Sequence, residues 1–461
     1  MMTLIARCHR TLRSAFARVA ARVRAPLAAC IAAGLIVASV SGAAATVLDP
    51  RAIQSETFAN GLRLIVASES DSPVVSVEII VKAGSADEPP EARGVAHLLE
   101  HVLWTGAAGE NNDPRLRVEA VGGVINAGTL RDFTRFYATV PAGRLELAIE
   151  ALREIVLDHA VDPSVVARER QVIVQESAAR QDNPAVALND AAFAVIFGDS
   201  SPYGSPIEGT VGGLASAEAA TLSLFRERYY VPNNIAVVVA GHATFADAHR
   251  AVERAFGQMR PSPVPGRAGA VEGPRSSGEH AVDLPVRKAY VMAAFPGPGA
   301  ADHSQVAATD LLATLLAHDP LGRLVAELRE RRGIADQVGV DFLTQRDRSL
   351  FGVWAVCDPP QVGEVKSAIQ AELQRLARQP VPADELARAR KLLAAGYSFA
   401  NETPADRAST LAFYEAIDSY RSASYYLSWV QDISAQALIS AARQYGSEPT
   451  WIVLAPGSAE P

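Results

Sequence analysis

Residues 94–106 read GVAHLLEHVLWTG, a run apolar enough to be buried that nonetheless holds His97, Glu100 and His101, in a chain with nine histidines. Val95, Leu98, Leu99, Val102 and Leu103 recur at helical spacing and predict a helix over 95–103. In that helix His97 and His101, four residues apart, stand one above the other on a single face, with Glu100 beside them. Two imidazoles so spaced can grip one metal ion, and a neighbouring carboxylate can hold a water without binding the metal. The order HxxEH reverses the commoner HExxH. The alternative is a polar stripe on a surface helix, but the apolar flanks leave such a helix little other polar surface to show.

A catalytic zinc site needs a third protein ligand and an open position. Asp162 as N-cap and Pro163 at the first helical position start another helix, predicted over 163–179. Its apolar stripe of Val165, Val166, Val172 and Ile173 also takes in Glu169 and Glu176. Two carboxylates on a buried stripe are costly unless a positive charge balances them. Surface ion pairs with nearby arginines are the alternative.

Outward from these helices the chain reads as two copies of one unit. His97-Leu98-Leu99-Glu100-His101 has a counterpart in Asp310-Leu311-Leu312-Ala313-Thr314, and Ala167-Arg168-Glu169-Arg170, Glu176 and Pro184 have counterparts in Ala387-Arg388-Ala389-Arg390, Gly396 and Pro404. The acids are present in the copy with the histidines and absent from the copy without them. Chance similarity of Ala/Leu/Arg-rich helices is the alternative. Residues 61–67, 74–81 and 234–240 are β-branched runs bounded by turn residues and predict strands, and 145–156 predicts a helix. Strands and helices clustered without strict alternation indicate an α+β fold in two duplicated halves, each a sheet packed with helices, enclosing a clam-like chamber. The expected division is 1–45 leader, 46–262 N-terminal metal-binding half, 263–280 linker rich in Pro, Gly and Ser, and 281–461 metal-free half.

The leader holds six arginines and no acid, then an apolar run over 27–40, then Ser41-Gly42-Ala43-Ala44-Ala45. That order describes a secretory signal with an A-x-A cleavage site and a periplasmic or exported product; an uncleaved inner-membrane anchor is the alternative. Without those six arginines, 37 basic residues face 51 acidic ones, a net of −14 that disfavours nucleic acid as a partner. Cys8 and Cys30 fall in the leader, so Cys357 alone remains and no internal disulfide can form. His159, His242, His249, His280, His303 and His318 have no ligand partners at metal spacing.

HLLEH, with Glu176 placed 75 residues after His101, resembles the inverzincin peptidases related to pitrilysin, insulysin and mitochondrial processing peptidase. The match extends through Asn60-Gly61-Leu62-Arg63, Ala83-Gly84-Ser85 with Asp87-Glu88, Asn126-Ala127-Gly128-Thr129 and Tyr229-Tyr230-Val231-Pro232-Asn233-Asn234. The short two-half length resembles the processing-peptidase-like branch. The resemblance implies one zinc ion per chain on His97, His101 and Glu176, with Glu100 as general base and Glu169 behind the metal site. It also implies an edge strand at Asn126 and Ala127 that pairs with extended peptide substrate, by β-augmentation.

One part of the family pattern is missing. Relatives carry in the second half an arginine and, seven residues on, a tyrosine that contact substrate. Here Arg329 fills the first position and Asp336 the second. An ionised acid cannot donate the phenolic hydrogen bond. The expectation is therefore a zinc endopeptidase subunit whose homologous partner supplies the Arg/Tyr pair. The competing readings are a non-catalytic scaffold or assembly subunit and a zinc-dependent peptide-binding protein, which would need no Glu100.

Overall fold

The computed structural model describes residues 48–106, 113–198, 201–267 and 278–456; the leader and most of the linker lie outside them. In the first half the strands are β1 (Ile53–Thr57), β2 (Arg63–Ser68), β3 (Val74–Val81), β4 (Val124–Thr129), β5 (Thr134–Pro141) and β6 (Ile235–Gly241). They form one sheet in the order β1-β2-β6-β3-β5-β4, parallel between β2 and β6 and antiparallel elsewhere. The helices that shape the site are α1 (Val95–Gly106), α2 (Pro163–Gln181) and α3 (Pro184–Phe197). The helix predicted from 145 is α-helical over Leu145–Arg153 and widens into a π-turn over Glu154–Asp158.

The second half repeats this plan. Strands β7 (Gly278–Val282), β8 (Ala289–Gly297), β9 (Gln337–Phe342), β10 (Ser349–Cys357) and β11 (Thr450–Leu454) lie in the order β7-β11-β8-β10-β9. The pair β7 and β11 is parallel and the rest antiparallel, so the sheet matches β2-β6-β3-β5-β4 strand for strand. Helices α4 (His303–Ala317), α5 (Ala383–Phe399) and α6 (Pro404–Ile417) answer α1, α2 and α3. The fold is α+β and duplicated. Cys357 is buried at the end of β10 as a free thiol.

Strands β3 and β6 are buried along nearly their whole length, because both faces of the first sheet are covered. Val75, Val77, Ile79 and Val81 point to a core shared with α1 and the helices Leu145–Arg153, Ala219–Tyr229 and Phe245–Phe256. Ile80, with Ile65 and Val238, points the other way, where α6 of the second half lies across β3 and β6. The exchange is mutual. Helix α3 of the first half lays Leu188, Ala192, Phe193, Ile196 and Phe197 on Met292, Ala294, Leu350, Ile452 and Leu454 of the second sheet. Each large side chain buried there contributes about 1.5–3 kcal/mol. Polar ties accompany α6 at the crossing: Arg135 pairs with Glu78 at 2.9 Å and donates to Ser409 on α6, and Lys82 pairs with Glu415 at 2.7 Å.

Candidate metal centre

Helix α1 starts where a glycine is required. Gly94 has φ +104°, and a Cβ there would lie 2.8 Å from the Glu208 carbonyl oxygen. The free amides of the first turn are met by Glu88, whose two oxygens accept from Gly94 N and Ala96 N, each at 2.8 Å. Its charge also faces the positive end of the helix dipole. Burial pushes the Glu88 carboxyl up to about 8, against those two hydrogen bonds and the Arg93 charge, which pull it down. Because both oxygens act as acceptors of N–H bonds, the geometry favours the ionised form over that upward push.

The rings of His97 and His101 lie 4.7 Å apart between centroids, with their planes at 80°. Helix α2 packs beside α1 and brings Glu176 Oε2 to 3.7 Å from His101 Nε2. One donor atom each from His97, His101 and Glu176 lies within 4.8 Å of the others. The α2 stripe differs from the pattern expected of it: Val166, Glu169 and Ile173 are buried, while Val172 is 42% exposed and the Glu176 side chain likewise 42%. Glu176 therefore closes the cluster from the solvent side, and the buried acid is Glu169, whose Oε2 lies 3.4 Å from His101 Nδ1. With the proton on Nδ1, that contact is a hydrogen bond to Glu169 and the Nε2 lone pair faces Glu176.

Glu100 lies beside the cluster, its Oε2 4.0 Å from His97 Nε2 and accepting from Thr129 Oγ1 at 3.2 Å. Burial lifts its carboxyl to about 7; the His101 charge and the Thr129 hydrogen bond pull it down, and Glu176 pushes it up. Burial, helped by the charges of His101 and Arg180, holds the His97 imidazole down at about 3, so it is neutral at physiological pH. His97 Nδ1 is buried with no hydrogen-bond partner. A neutral imidazole, two carboxylates and a 3.7 Å ligand pair fit zinc, around which two donors stand about 3.4 Å apart in a tetrahedral shell.

A cavity of about 400 Å³ opens onto this cluster, with Asn126, Ala127, Gly128 and Thr129 of β4 forming one wall and Trp104, Arg180 and Glu208 elsewhere on its lining. Among the described residues β4 is the last strand of its sheet, so one backbone edge has no strand partner there. It also borders a second cavity of about 440 Å³, whose far side carries Phe342 of β9 and Phe413 of α6. Arg329 lines neither cavity. It is held at the surface by Asp319, at 2.7 Å, and by Glu330. Asp336 is paired with Lys288 at 2.9 Å, and Lys288 also holds Asp358. The structure thus gathers His97, Glu100, His101, Asn126, Ala127, Glu169 and Glu176 and leaves Arg329 apart. At the duplicate position Asp310 is buried and accepts from Tyr426 OH at 2.6 Å, with no imidazole beside it on α4.

Glu88 and Thr129 stand in stretches quoted above for their resemblance, but their roles were not legible there. Each acts across a turn or between elements, where spacing along the chain gives no signal.

The family description "Insulinase (Peptidase family M16)" matches residues 64–210, and "Peptidase M16 inactive domain" matches 216–393. An uncharacterized zinc protease of Streptomyces coelicolor is 30% identical over 344 residues, 73% of this chain and 74% of the relative. The chain belongs to the M16 peptidase family. Another M16-like relative, an uncharacterized zinc protease of Mycobacterium leprae, is 30% identical over 399 residues, covering 84% of this chain and 88% of its own. The M16 architecture extends to solved structures. A protease from Helicobacter pylori superposes with TM-score 0.79 at 22% identity, over 88% of this chain and 99% of its own. An M16 inactive domain from Pseudomonas fluorescens gives 0.78 at 19%, over 89% and 99%. At those identities the likeness is one of fold.

Proposed function

We infer that this M16 chain is a zinc endopeptidase that cuts extended segments of peptides or unfolded short proteins. The observation that carries the reading is the convergence of His97, His101 and Glu176 within 4.8 Å beside an independent carboxylate, Glu100, on a cavity walled by an open strand edge. A zinc ion on those three side chains supplies Lewis acidity that polarises a carbonyl and acidifies water. The protein groups do the rest. The free edge of β4 at Asn126 and Ala127 aligns the substrate backbone as an added strand. Glu100, held by Thr129, takes the proton from water and returns it to the leaving amine. Glu169 keeps the His101 ring in its tautomer and orientation.

A homologous partner completes the site on this reading. Its support is the engagement of Arg329 with Asp319 and Glu330 and of Asp336 with Lys288, which leaves neither residue available to the metal cluster. The order of charge and apolarity in residues 1–45 supports export, tested by the N-terminal sequence of the protein recovered from its host.

The deciding experiment compares Glu100→Gln and Glu176→Ala with the parent for zinc content and cleavage of an unfolded polypeptide. The expected pattern is full zinc with at least about a hundredfold lower cleavage in Glu100→Gln, the lower bound of the usual general-base range, and little zinc in Glu176→Ala. Equal cleavage by Glu100→Gln and parent would favour a zinc-binding scaffold or peptide carrier. If purification from the host yields a single chain type that cleaves efficiently, the partner is dispensable.

A further inference from the structure

The composition of the segment joining the halves describes a plain tether, yet the side chain of its Arg267 is only 9% exposed. The guanidinium uses its whole donor fork. Nε and Nη2 reach the two oxygens of Asp87 at 3.1 Å each, and Nη1 reaches Asp132 at 2.8 Å, Tyr203 OH at 3.0 Å and Asp347 at 2.8 Å. Asp87, Asp132 and Tyr203 belong to the first half and Asp347 to the second. Asp87 and Asp132 are themselves only 5% and 4% exposed, so Arg267 is the charge that makes their burial tolerable.

The consequence runs towards the metal. Asp87 Oδ2 also accepts from Gly84 N at 3.0 Å, which fixes the turn over 84–87. The next residue is Glu88, the carboxylate that holds Gly94 N and Ala96 N, and Ala96 immediately precedes His97. A bidentate arginine–carboxylate pair is directional as well as strong, so it fixes the orientation of the Asp87 backbone and with it the start of the Glu88 side chain.

We propose that Arg267 is a positioning residue for the metal centre: through Asp87 and Glu88 it seats the first turn of α1, so that the docked linker sets where His97 and His101 stand. This rests on the zinc reading above for its functional consequence, though not for the seating of the helix. A displaced α1 turn moves one imidazole relative to Glu176 on α2, and metal affinity registers it.

The experiment uses the full-length chain as parent, Arg267→Met, Arg267→Lys and Asp87→Asn, with Leu373→Ala, buried on the helix Val362–Arg378 of the second half, as a control that loosens packing away from this network. Two quantities are read: amide hydrogen exchange at Gly94 and Ala96 in the metal-free protein, and zinc affinity by competition with a chromophoric chelator. Arg267→Met is expected to speed that exchange and weaken zinc about tenfold, within the range for coupling through a packed network. Arg267→Lys recovers part of both, since it restores the charge without the fork. Asp87→Asn, which keeps the shape and removes the charge, shifts both the same way by less, and it carries the test if Arg267→Met does not fold. Leu373→Ala, at a similar loss of melting temperature, leaves both at the parent's values. Exchange and affinity unchanged in Arg267→Met and Asp87→Asn while the parent binds zinc overturn the proposal alone. A parent that binds no zinc, with exchange still following Arg267, overturns the metal reading and supports the seating of α1.

Discussion

The carboxylate of Glu169 sits 3.4 Å from His101 Nδ1 and is 3% exposed, while Glu176, at the mouth of the same cluster, is in contact with solvent. The two acids therefore do different work although they lie seven residues apart on one helix. Glu169→Ala is expected to weaken zinc by about 10–100-fold without removing a ligand, measured by chelator competition. Glu100 gives a prediction in pH. In metal-free protein its folded pKa of about 7 stands above the usual value for glutamate, so it supplies stability that is present at low pH and lost as pH rises towards and through 7. His97, held at about 3, contributes the opposite slope, gaining stability as pH rises from about 3 to 6.5. The difference between Glu100→Gln and parent isolates the first. After chelator treatment, urea unfolding should show Glu100→Gln more stable than the parent above pH 7, with the gap closing towards pH 5.

At the level of elements, what could be read beforehand depended on whether a segment's signal was local. Strands β2, β3 and β6 announce themselves by β-branched runs, and α1 by its apolar spacing, since burial on a fixed face writes a period into the chain. β4, with the sequence VINAGT, carries no such period, because it is an edge strand with intermediate or exposed residues and serves a cavity. Its position came from resemblance alone. The π-turn at Glu154–Asp158 and the side on which Val172 falls depend on neighbours in space, which no window of sequence contains. The destination of α3 and α6 was equally hidden: an apolar helix face states that it is covered and says nothing of which sheet covers it. Phe197 on α3, fully buried against the second sheet, tests that placement. Phe197→Ala should cost about 3–5 kcal/mol by denaturant unfolding. Hydrogen exchange should speed up in β11, more than two hundred and fifty residues away in sequence, as well as in α3.

Across the whole molecule the exchanged helices make the halves interdependent. The first sheet without α6, or the second without α3, presents an apolar face to water, and on the first sheet Glu78 keeps Arg135 but loses the Ser409 hydroxyl. Residues 46–262 expressed alone should accordingly aggregate, whereas co-expression with 263–461 should restore a soluble complex, as sedimentation and yield would show. The parent should unfold in one transition, with circular dichroism and exchange in both sheets reporting the same midpoint. On the proposed function, this interlock limits how a substrate is admitted: a guest segment would enter along the outer edge of β4 and the cavities beside it, with the sheets staying together.

Because the chain is made from its N-terminus, the helix exchange has a temporal side. The sixth strand of the first sheet is finished at Gly241, but the helix that roofs its second face ends at Ile417, a further 176 residues on. At about 5–20 residues per second, that face waits roughly ten to thirty-five seconds for its cover. A newborn chain is thus sticky for more than a third of its own synthesis, and a chaperone or a secretion channel that keeps it extended until the last third has emerged would suit the way it must close.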